Sequence, residues 1–381
     1  MNTLKIDIFC KIVDNYGDIG VCWRLAQQLT HDHGCSIRII VDDLSVFSCL
    51  CPQIDPILEI QNTNNVTILK WNESTLQKYY SQTGDAVIEA FACTLPDMVV
   101  QKITETKPVW IDLEYLSAED WIETHHAIPS AHPMSGVEKT LFFPGFTEKT
   151  GGLLRDTALI RNRDAFQNDA KTQNVWRMAH GLPLIDDAAL DLMLFCYRDA
   201  PVRSLVRTLM RHSGPVRLFV TSGQAADAVS ATGPLPESIK IHHLSFLNSD
   251  DFQHLLWTSD INFVRGEDSF VQAQWAGKPL IWHIYRQEKD AHMVKLAAFL
   301  RLYTRNLGQK HTEILENFSI LWNERGRTAG DIPRDDDPDL LSALPGMTAH
   351  AKEWAAELAK QPDLAANLAG FIRGRQSANR T

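Results

Sequence analysis

Two short segments carry charged side chains beside glycines, each directly after a predicted β-strand. In the first, Asp14 and Asp18 flank Gly17, and a helical pattern begins at about Ile19. The glycine permits a tight turn and the close approach of a ligand to the backbone. Paired carboxylates bind cations such as a guanidinium and accept protons. The same residues also fit a helix N-cap at Asp18 beside an ordinary loop aspartate.

The second segment, Arg265-Gly266-Glu267-Asp268-Ser269, opens another predicted helix. Asp268 or Ser269 would lie at the helix N-terminus, where backbone N–H groups favour a diphosphate. Arg265 would add a fixed cation with bidentate donors, and Glu267 is suited to accept hydrogen bonds from a sugar or ribose hydroxyl. The pattern indicates nucleotide-sugar binding, although a capping sequence with a surface arginine has the same appearance.

Aromatic side chains near other predicted strand ends are suited to stack on a nucleotide base. Phe195 and Tyr197 end one predicted strand, and Phe246 and Phe252 flank the loop after another. Each of them taken singly also fits an ordinary core position. Gln287 lies in the segment that follows the last predicted strand, and we include it among the candidate nucleotide contacts.

The elements that must position these segments form two α/β units. Alternating apolar residues predict strands, and helical spacing predicts the helices between them, so we expect two doubly wound, Rossmann-like sheets. The predicted strands are 4–10, 36–41, 66–69, 86–91, 108–111, 192–197, 216–221, 239–244, 261–264 and 279–282. Connecting loops are expected at about 117–163. Ligands of such sheets bind beyond the carboxyl ends of the strands, which predicts a site in a cleft between the two units.

We assign residues 1–175 to an acceptor-side unit and 176–359 to a nucleotide-sugar unit. A C-terminal helix at about 360–381 is expected to pack back on the first unit. The 381 residues, 44% of them hydrophobic, suffice for two cores. The formal net charge of −10 argues against a general nucleic-acid binder, which needs a basic footprint.

Other compositional features limit the class of protein. Seven cysteines with no C-x-x-C pair indicate reduced thiols and a cytoplasmic protein. No apolar run approaches the ~20 residues of a membrane span, and the N-terminus lacks a secretory signal pattern. Asp335 and Asp337 form an Asp-x-Asp among prolines, where we expect a solvated loop. We therefore predict no metal and no membrane association.

Longer stretches of the sequence resemble one known family. DNYGDIGVCWRLA at 14–26 is similar to the opening signature of EarP, the family of protein-arginine rhamnosyltransferases of elongation factor P. RGEDSFV at 265–271, AQWAGKP at 273–279 and WHIY at 282–285 resemble the same family. The resemblance implies the GT-B architecture and a metal-independent, inverting transfer of rhamnose. The implied donor is dTDP-β-L-rhamnose, and the implied acceptor is an arginine of elongation factor P.

The resemblance also implies roles for individual residues. Asp18 matches the general base, Asp14 a second acid near the acceptor, and Glu267 a glutamate beside the donor. Arg265 and Ser269 match diphosphate contacts. Phe195, Tyr197, Phe246 and Phe252 fall where the family's nucleotide-contacting aromatic residues are expected. We add Asp268 and Gln287 on the donor side, and Asn15, Tyr16 and Gly17 in the acceptor-side loop, as further candidate site residues.

Two other functions remain open at this stage. A GT-B transferase that acts on a lipid or small-molecule acceptor would share the donor motif, although no basic amphipathic helix suited to a membrane is evident. A non-catalytic module that senses a nucleotide sugar would dock on a translation factor without changing the mass of its partner.

Overall fold

The computed structural model describes residues 3–13, 16–132, 135–324 and 338–378. Asp14, Asn15, Asp335 and Asp337 lie outside the described residues, so the predictions made for them stay predictions. The chain divides into two compact units. The first comprises Met1–Thr157 with Lys360–Thr381, and the second comprises Ala158–Ala359.

The first unit is built on an eight-stranded sheet in the order β3-β4-β2-β1-β5-β6-β8-β7. Its strands are β1 (Lys5–Cys10), β2 (Ser36–Val41), β3 (Ile60–Thr63), β4 (Val66–Lys70), β5 (Ala86–Ala90), β6 (Val109–Leu113), β7 (Pro129–Ala131) and β8 (Glu138–Phe142). The two edge pairs, β3 with β4 and β7 with β8, are antiparallel. The parallel strands β1, β5 and β6 end at the same edge of the sheet.

The hairpin of β7 and β8 lies within the region that was expected to consist of loops. Strand β7 is short and begins at Pro129. Strand β8 pairs with β6, and after its exposed first residue it alternates between half-buried and buried residues. That prediction is wrong because the nearby proline and glycine residues are typical of loops, whereas β8 is stabilised by pairing with β6, which is distant in sequence.

The helices that connect these strands are α1 (Gly17–His31), α2 (Leu44–Leu50), α3 (Glu73–Tyr79), α4 (Asp97–Thr106) and α5 (Ile122–His125). Helix α1 packs on β1 and β2 through Ile19, Cys22, Leu25 and Leu29, which are completely buried and spaced to share one helical face. Its start, directly after β1, therefore lies at the carboxyl edge of the sheet.

The second unit contains a five-stranded, fully parallel sheet in the order β11-β10-β9-β12-β13. Its strands are β9 (Leu190–Leu194), β10 (Val216–Val220), β11 (Ile239–His243), β12 (Ile261–Arg265) and β13 (Leu280–His283). Its helices are α6 (Leu159–Gln167), α7 (Ala170–Ala179), α8 (Val202–Leu209), α9 (Gln224–Ser230), α10 (Ser249–Thr258), α11 (Asp268–Trp275), α12 (Ala291–Tyr303), α13 (Gln309–Asn323) and α14 (Leu340–Leu358). The predicted pair of Rossmann-like α/β units is confirmed.

The division between the units falls earlier in the chain than the predicted residue 175, because α6 and α7 belong to the second unit. The guanidinium of Arg163 donates to the backbone oxygen of Trp275 at 2.8 Å. The guanidinium of Arg177, which is only 2% exposed, donates to the backbone oxygen of Thr258 at 2.7 Å. Trp275 ends α11 and Thr258 ends α10, so these hydrogen bonds attach α6 and α7 to the second unit.

The last helix, α15 (Leu364–Ala378), packs against α1 and β6 of the first unit, the half in which the C-terminal helix was expected. Asp363 accepts hydrogen bonds from the Gln28 side chain at 2.7 Å and from the backbone N–H of Ala366 at 2.9 Å, which fixes the start of the helix. Within the described residues, every helix is too short or too polar to cross a bilayer.

Candidate active site

Asp18 is a buried carboxylate in the first turn of α1, with only 3% of the residue exposed. Its Oδ2 accepts the backbone N–H of Val13 at 2.7 Å, and the Tyr115 hydroxyl donates to Oδ1 at 3.4 Å. The N-cap position belongs to Tyr16, so the interpretation of Asp18 as the helix cap is wrong. The carboxylate instead bonds back to the loop that follows β1, which orients it at the carboxyl edge of the sheet.

The aromatic surroundings of Asp18 come from the ends of two other strands. Tyr115 follows β6, and its ring stacks on Phe91 with centroids 4.8 Å apart and planes at 22°. Phe91 and Ala92 follow β5, and both have positive φ angles of 57° and 53°. Such a backbone is costly for residues other than glycine and is often retained at functional sites. This pair was not predicted, although attention to the residues after each strand would have found it.

The other predicted residues of this segment have different outcomes. Tyr16 and Gly17 lie at the start of α1 and are half-buried. The backbone oxygen of Tyr16 accepts the N–H of Gly20 at 2.9 Å. Asp14 and Asn15 lie outside the described residues, so the pairing of Asp14 with Asp18 stays a prediction.

In the second unit, Arg265 ends β12 and contacts the segment that follows β9. The centre of its guanidinium lies 4.5 Å from the ring centroid of Phe195 and 5.0 Å from that of Tyr197. Its Nη1 donates to the backbone oxygen of Cys196 at 3.2 Å. Strand β9 ends at Leu194, so Phe195 and Tyr197 follow the strand and do not end it as predicted. These contacts hold a permanent cation at the carboxyl edge of the sheet.

Ser269 closes the turn between β12 and α11. The backbone N–H of Arg265 donates to Ser269 Oγ at 3.2 Å, and the Ser269 hydroxyl donates back to the Arg265 oxygen. Glu267 occupies the N-cap position of α11. Asp268 begins the helix and accepts the Gln272 side-chain amide at 2.7 Å. The first turn of an α-helix directs backbone N–H groups outward, as an anion site requires.

Only some of the predicted aromatic contacts come together. The rings of Phe195 and Phe252 meet edge to face with centroids 5.4 Å apart. Phe246 lies between β11 and α10 and is 49% exposed. Gln287 follows β13 and donates its backbone N–H to Nδ1 of His292 at 3.3 Å. All four residues lie beyond carboxyl ends of the parallel strands, where contact with a nucleotide stays a prediction.

The segment 283–288 was expected near the site, but the polar contacts that its residues make were not predicted from the sequence. His283 ends β13, is 3% exposed and accepts the backbone N–H of Tyr197 on Nδ1 at 3.2 Å. Asp199 forms an ion pair of 2.7 Å with Arg286. Asn323 of α13 donates to the backbone oxygen of Trp282 and accepts the N–H of Ile284. A signal for the histidine existed in the segment WHIY, but only the tertiary structure shows what it contacts.

Metal binding finds no support among the described residues, where no group of three or more His, Cys, Asp or Glu side chains has a suitable arrangement. The expectation of a metal-independent reaction stays a prediction. Arg265 and the N-terminus of α11 offer a cation and backbone N–H donors, which suit an anionic ligand without a metal.

Two Rossmann-like units, with an acidic site after β1 in one and a cationic turn before α11 in the other, have the architecture of the GT-B fold class. Solved structures support this class at the level of the fold. Spinosyn rhamnosyltransferase SpnG has a TM-score of 0.58 at 10% sequence identity, covering 97% of this chain and 100% of that chain. At such low identity the likeness concerns the fold alone.

A family model described as the elongation factor P (EF-P) rhamnosyltransferase EarP matches residues 6–373, so the chain belongs to the EarP family. The protein-arginine rhamnosyltransferase of Pseudomonas putida is 41% identical over 382 residues, covering 96% of this chain and 98% of that protein. A solved structure described as the basis for EarP-mediated arginine glycosylation of EF-P is 31% identical with a TM-score of 0.65, covering 98% of this chain and 99% of that one. The resemblance found in the sequence is confirmed, and the protein is a glycosyltransferase.

Proposed function

We propose that this glycosyltransferase moves rhamnose from dTDP-β-L-rhamnose to an arginine side chain of elongation factor P, with inversion at the anomeric carbon. The observation that carries the proposal is the family match over residues 6–373, because it spans both units and every candidate site segment. The relative from Pseudomonas putida is named for arginine rhamnosylation, and the solved EarP structure concerns EF-P.

Arginine is a demanding acceptor. Its pKa lies above about 12, and its delocalised cation is a poor nucleophile. A carboxylate counters both problems by binding the guanidinium through paired hydrogen bonds and by accepting a proton as the new bond forms. Asp18 suits this task because the Val13 N–H and the Tyr115 hydroxyl already orient it. Asp14 is proposed as the second carboxylate on the guanidinium.

In the proposed step, a terminal guanidinium nitrogen attacks the anomeric carbon while the bond from that carbon to the diphosphate oxygen breaks. The electron pair leaves on dTDP, and the proton released from the nitrogen passes to Asp18. Attack opposite the leaving group inverts the configuration. Arg265 and the first-turn amides of α11 are proposed to meet the charge on the departing diphosphate. Glu267, at the head of the same helix, is proposed to contact the sugar.

The decisive experiment is the intact mass of EF-P after incubation with this protein and dTDP-β-L-rhamnose. The proposal expects the addition of one deoxyhexose, which fragmentation locates on an arginine. Unchanged EF-P in a sample whose enzyme binds dTDP would reject the proposed acceptor. A stable complex without a mass change would favour the sensing module, and transfer to a lipid or small molecule would favour the other transferase class.

Substitution Asp18→Asn tests the base. We expect transfer to fall at least ~100-fold, because the amide cannot accept the proton, while dTDP affinity measured by calorimetry stays close to that of the wild type. Asp32→Asn is the matched control, since Asp32 follows the other end of α1 and its carboxylate accepts hydrogen bonds from the backbone N–H and the hydroxyl of Thr157. Loss of dTDP binding in Asp18→Asn would contradict the acceptor-side assignment.

A further inference from the structure

His283 joins the end of β13 to the segment after β9 in the second unit, yet it has no part in the chemistry proposed above. We propose that His283 is a positioning residue whose neutral imidazole holds the segment after β9 in the arrangement that supports Arg265. The inference rests on the proposed function, because it assigns the carboxyl edge of this sheet to the nucleotide diphosphate.

The hydrogen bonds of the ring define its protonation. The backbone N–H of Tyr197 donates to Nδ1 of His283 at 3.2 Å, so Nδ1 carries the lone pair and Nε2 carries the proton. Nε2 faces Oδ1 of Asp199 at 3.8 Å. The other oxygen of Asp199 lies 2.7 Å from Nη1 of Arg286. The buried imidazole therefore lies between the backbone N–H of Tyr197, which follows β9, and the exposed ion pair of Asp199 with Arg286.

The segment that the imidazole holds, 195–197, contacts the side chain of Arg265. The guanidinium of Arg265 rests against the rings of Phe195 and Tyr197 and donates to the oxygen of Cys196 between them. The N–H that His283 accepts belongs to the last of these three residues. Loss of this acceptor would remove the hydrogen bond that ties the segment 195–197 to β13, and with it a constraint on the orientation of the cation.

Burial first, and nearby cations in addition, keep the ring neutral. Burial is the main cause that lowers the pKa of His283, to about 4, and the cations Arg286 and Arg265 and the side chain of His292 lower it further. Asp199 opposes them. A protonated ring would direct an N–H at the N–H of Tyr197. The neutral acceptor consequently persists across the physiological pH range.

The backbone at position 283 is held independently of the ring. The amide of Asn323 donates to the oxygen of Trp282 at 2.8 Å and accepts the N–H of Ile284 at 3.0 Å. Substitutions of the side chain therefore test the imidazole itself, with the strand end kept in place by α13.

The test compares His283→Asn with His283→Leu. Asn places a carbonyl oxygen as many bonds from the backbone as Nδ1 and keeps the acceptor, whereas Leu fills the space without one. We expect His283→Leu to weaken dTDP binding at least tenfold in calorimetry and to raise the KM for dTDP-β-L-rhamnose, with the KM for EF-P unchanged. His283→Asn should restore affinity to within about threefold of the wild type. Equal affinities in the two variants would overturn the proposal.

A measurement on the unaltered protein does not depend on folding of either variant. Imidazole ¹⁵N shifts of His283 should report the neutral form protonated on Nε2 from pH 8 to pH 5. Titration near the ordinary value of about 6.5, or a proton on Nδ1, would overturn the assignment. If the wild type binds dTDP and the variants behave as expected but EF-P stays unmodified, only the proposed function fails. Wild-type transfer with indistinguishable variants would refute only the role of His283.

Discussion

Three buried carboxylates of the first unit differ in their environments and in their expected roles. Asp18 accepts a backbone N–H and a tyrosine hydroxyl, which orient it toward the loop after β1. Glu89 on β5 lies beside Asp112 on β6. Both form ion pairs with Lys139, whose Nζ lies 3.6 Å from Oε2 of Glu89 and 2.5 Å from Oδ2 of Asp112. The two acids therefore share one lysine in a buried position.

Substitution Glu89→Gln should change how stability depends on pH. Burial chiefly, and Asp112 in addition, raise the pKa of Glu89 from 4.5 to about 7 although Lys139 opposes them. The unfolded chain releases this proton above its ordinary pKa while the folded chain keeps it to about 7, so the wild type loses stability as pH rises between these values. We expect the variant to gain up to about 3 kcal/mol relative to the wild type between pH 5 and pH 8.

Urea unfolding at the two pH values measures this difference. Glu59→Gln provides the control, because Glu59 is an exposed partner of Lys78 at 3.2 Å and its loss should leave the pH dependence of the wild type unchanged. Parallel pH profiles for wild type and Glu89→Gln would contradict the assignment of the high pKa to this carboxyl.

At the scale of elements, the turn between β12 and α11 decides where Arg265, Glu267 and Ser269 lie. Gly266 has a φ angle of 62°, in the left-handed region that side chains disfavour. Its oxygen accepts the indole N–H of Trp282 at 2.7 Å. The turn is thereby joined to β13, and a change in its backbone would move the first turn of α11.

We expect Gly266→Ala to lower the free energy of unfolding by about 1–2 kcal/mol and to weaken dTDP binding severalfold. Gly233→Ala separates the two effects. Gly233 has a φ angle of 76° in the same unit, and a Cβ at this position would have no neighbouring described atom within 4 Å, so the variant should lose stability alone. Calorimetry with dTDP and urea unfolding measure both quantities. Undiminished dTDP affinity in Gly266→Ala would show that the turn does not position the donor contacts.

At the scale of the whole molecule, the chain leaves the first unit, builds the second and returns. Helix α15 completes the first unit by burying Leu368 and Ile372 against its core, and α1 and β6 are elements that it contacts. Arg373 donates to the backbone oxygen of His33 at 3.1 Å, which adds a polar contact at the far end of α1. The helix that begins at the candidate base is therefore supported by the end of the chain.

Substitution Leu368→Ala should destabilise the first unit by about 2–4 kcal/mol, because it leaves a cavity in place of a completely buried side chain. Hydrogen exchange should accelerate in α1 and β6 and stay unchanged in β9 and β12. Val294→Ala, at a position 59% exposed on α12, should change neither region. Equal acceleration in the strands of both units would contradict the assignment of α15 to the first unit alone.

Local pattern in the sequence determined the central strands and the family. Strands such as β1 and β12 are buried on both faces, so their apolar runs stand out without knowledge of their partners. The motifs at 14–26 and 265–271 are contiguous, and contiguous motifs need no tertiary information to be matched.

Only the tertiary structure shows the features that depend on contacts between residues distant in sequence. The hairpin of β7 and β8 pairs with β6. Helix α6 is attached to the second unit by the hydrogen bond from the guanidinium of Arg163 to the backbone oxygen of Trp275. The bond from Tyr197 to His283 likewise joins two strand ends that are not adjacent in the chain. Hydrogen bonds and burial between distant segments leave no periodic trace in either segment, and the sequence by itself therefore did not reveal them.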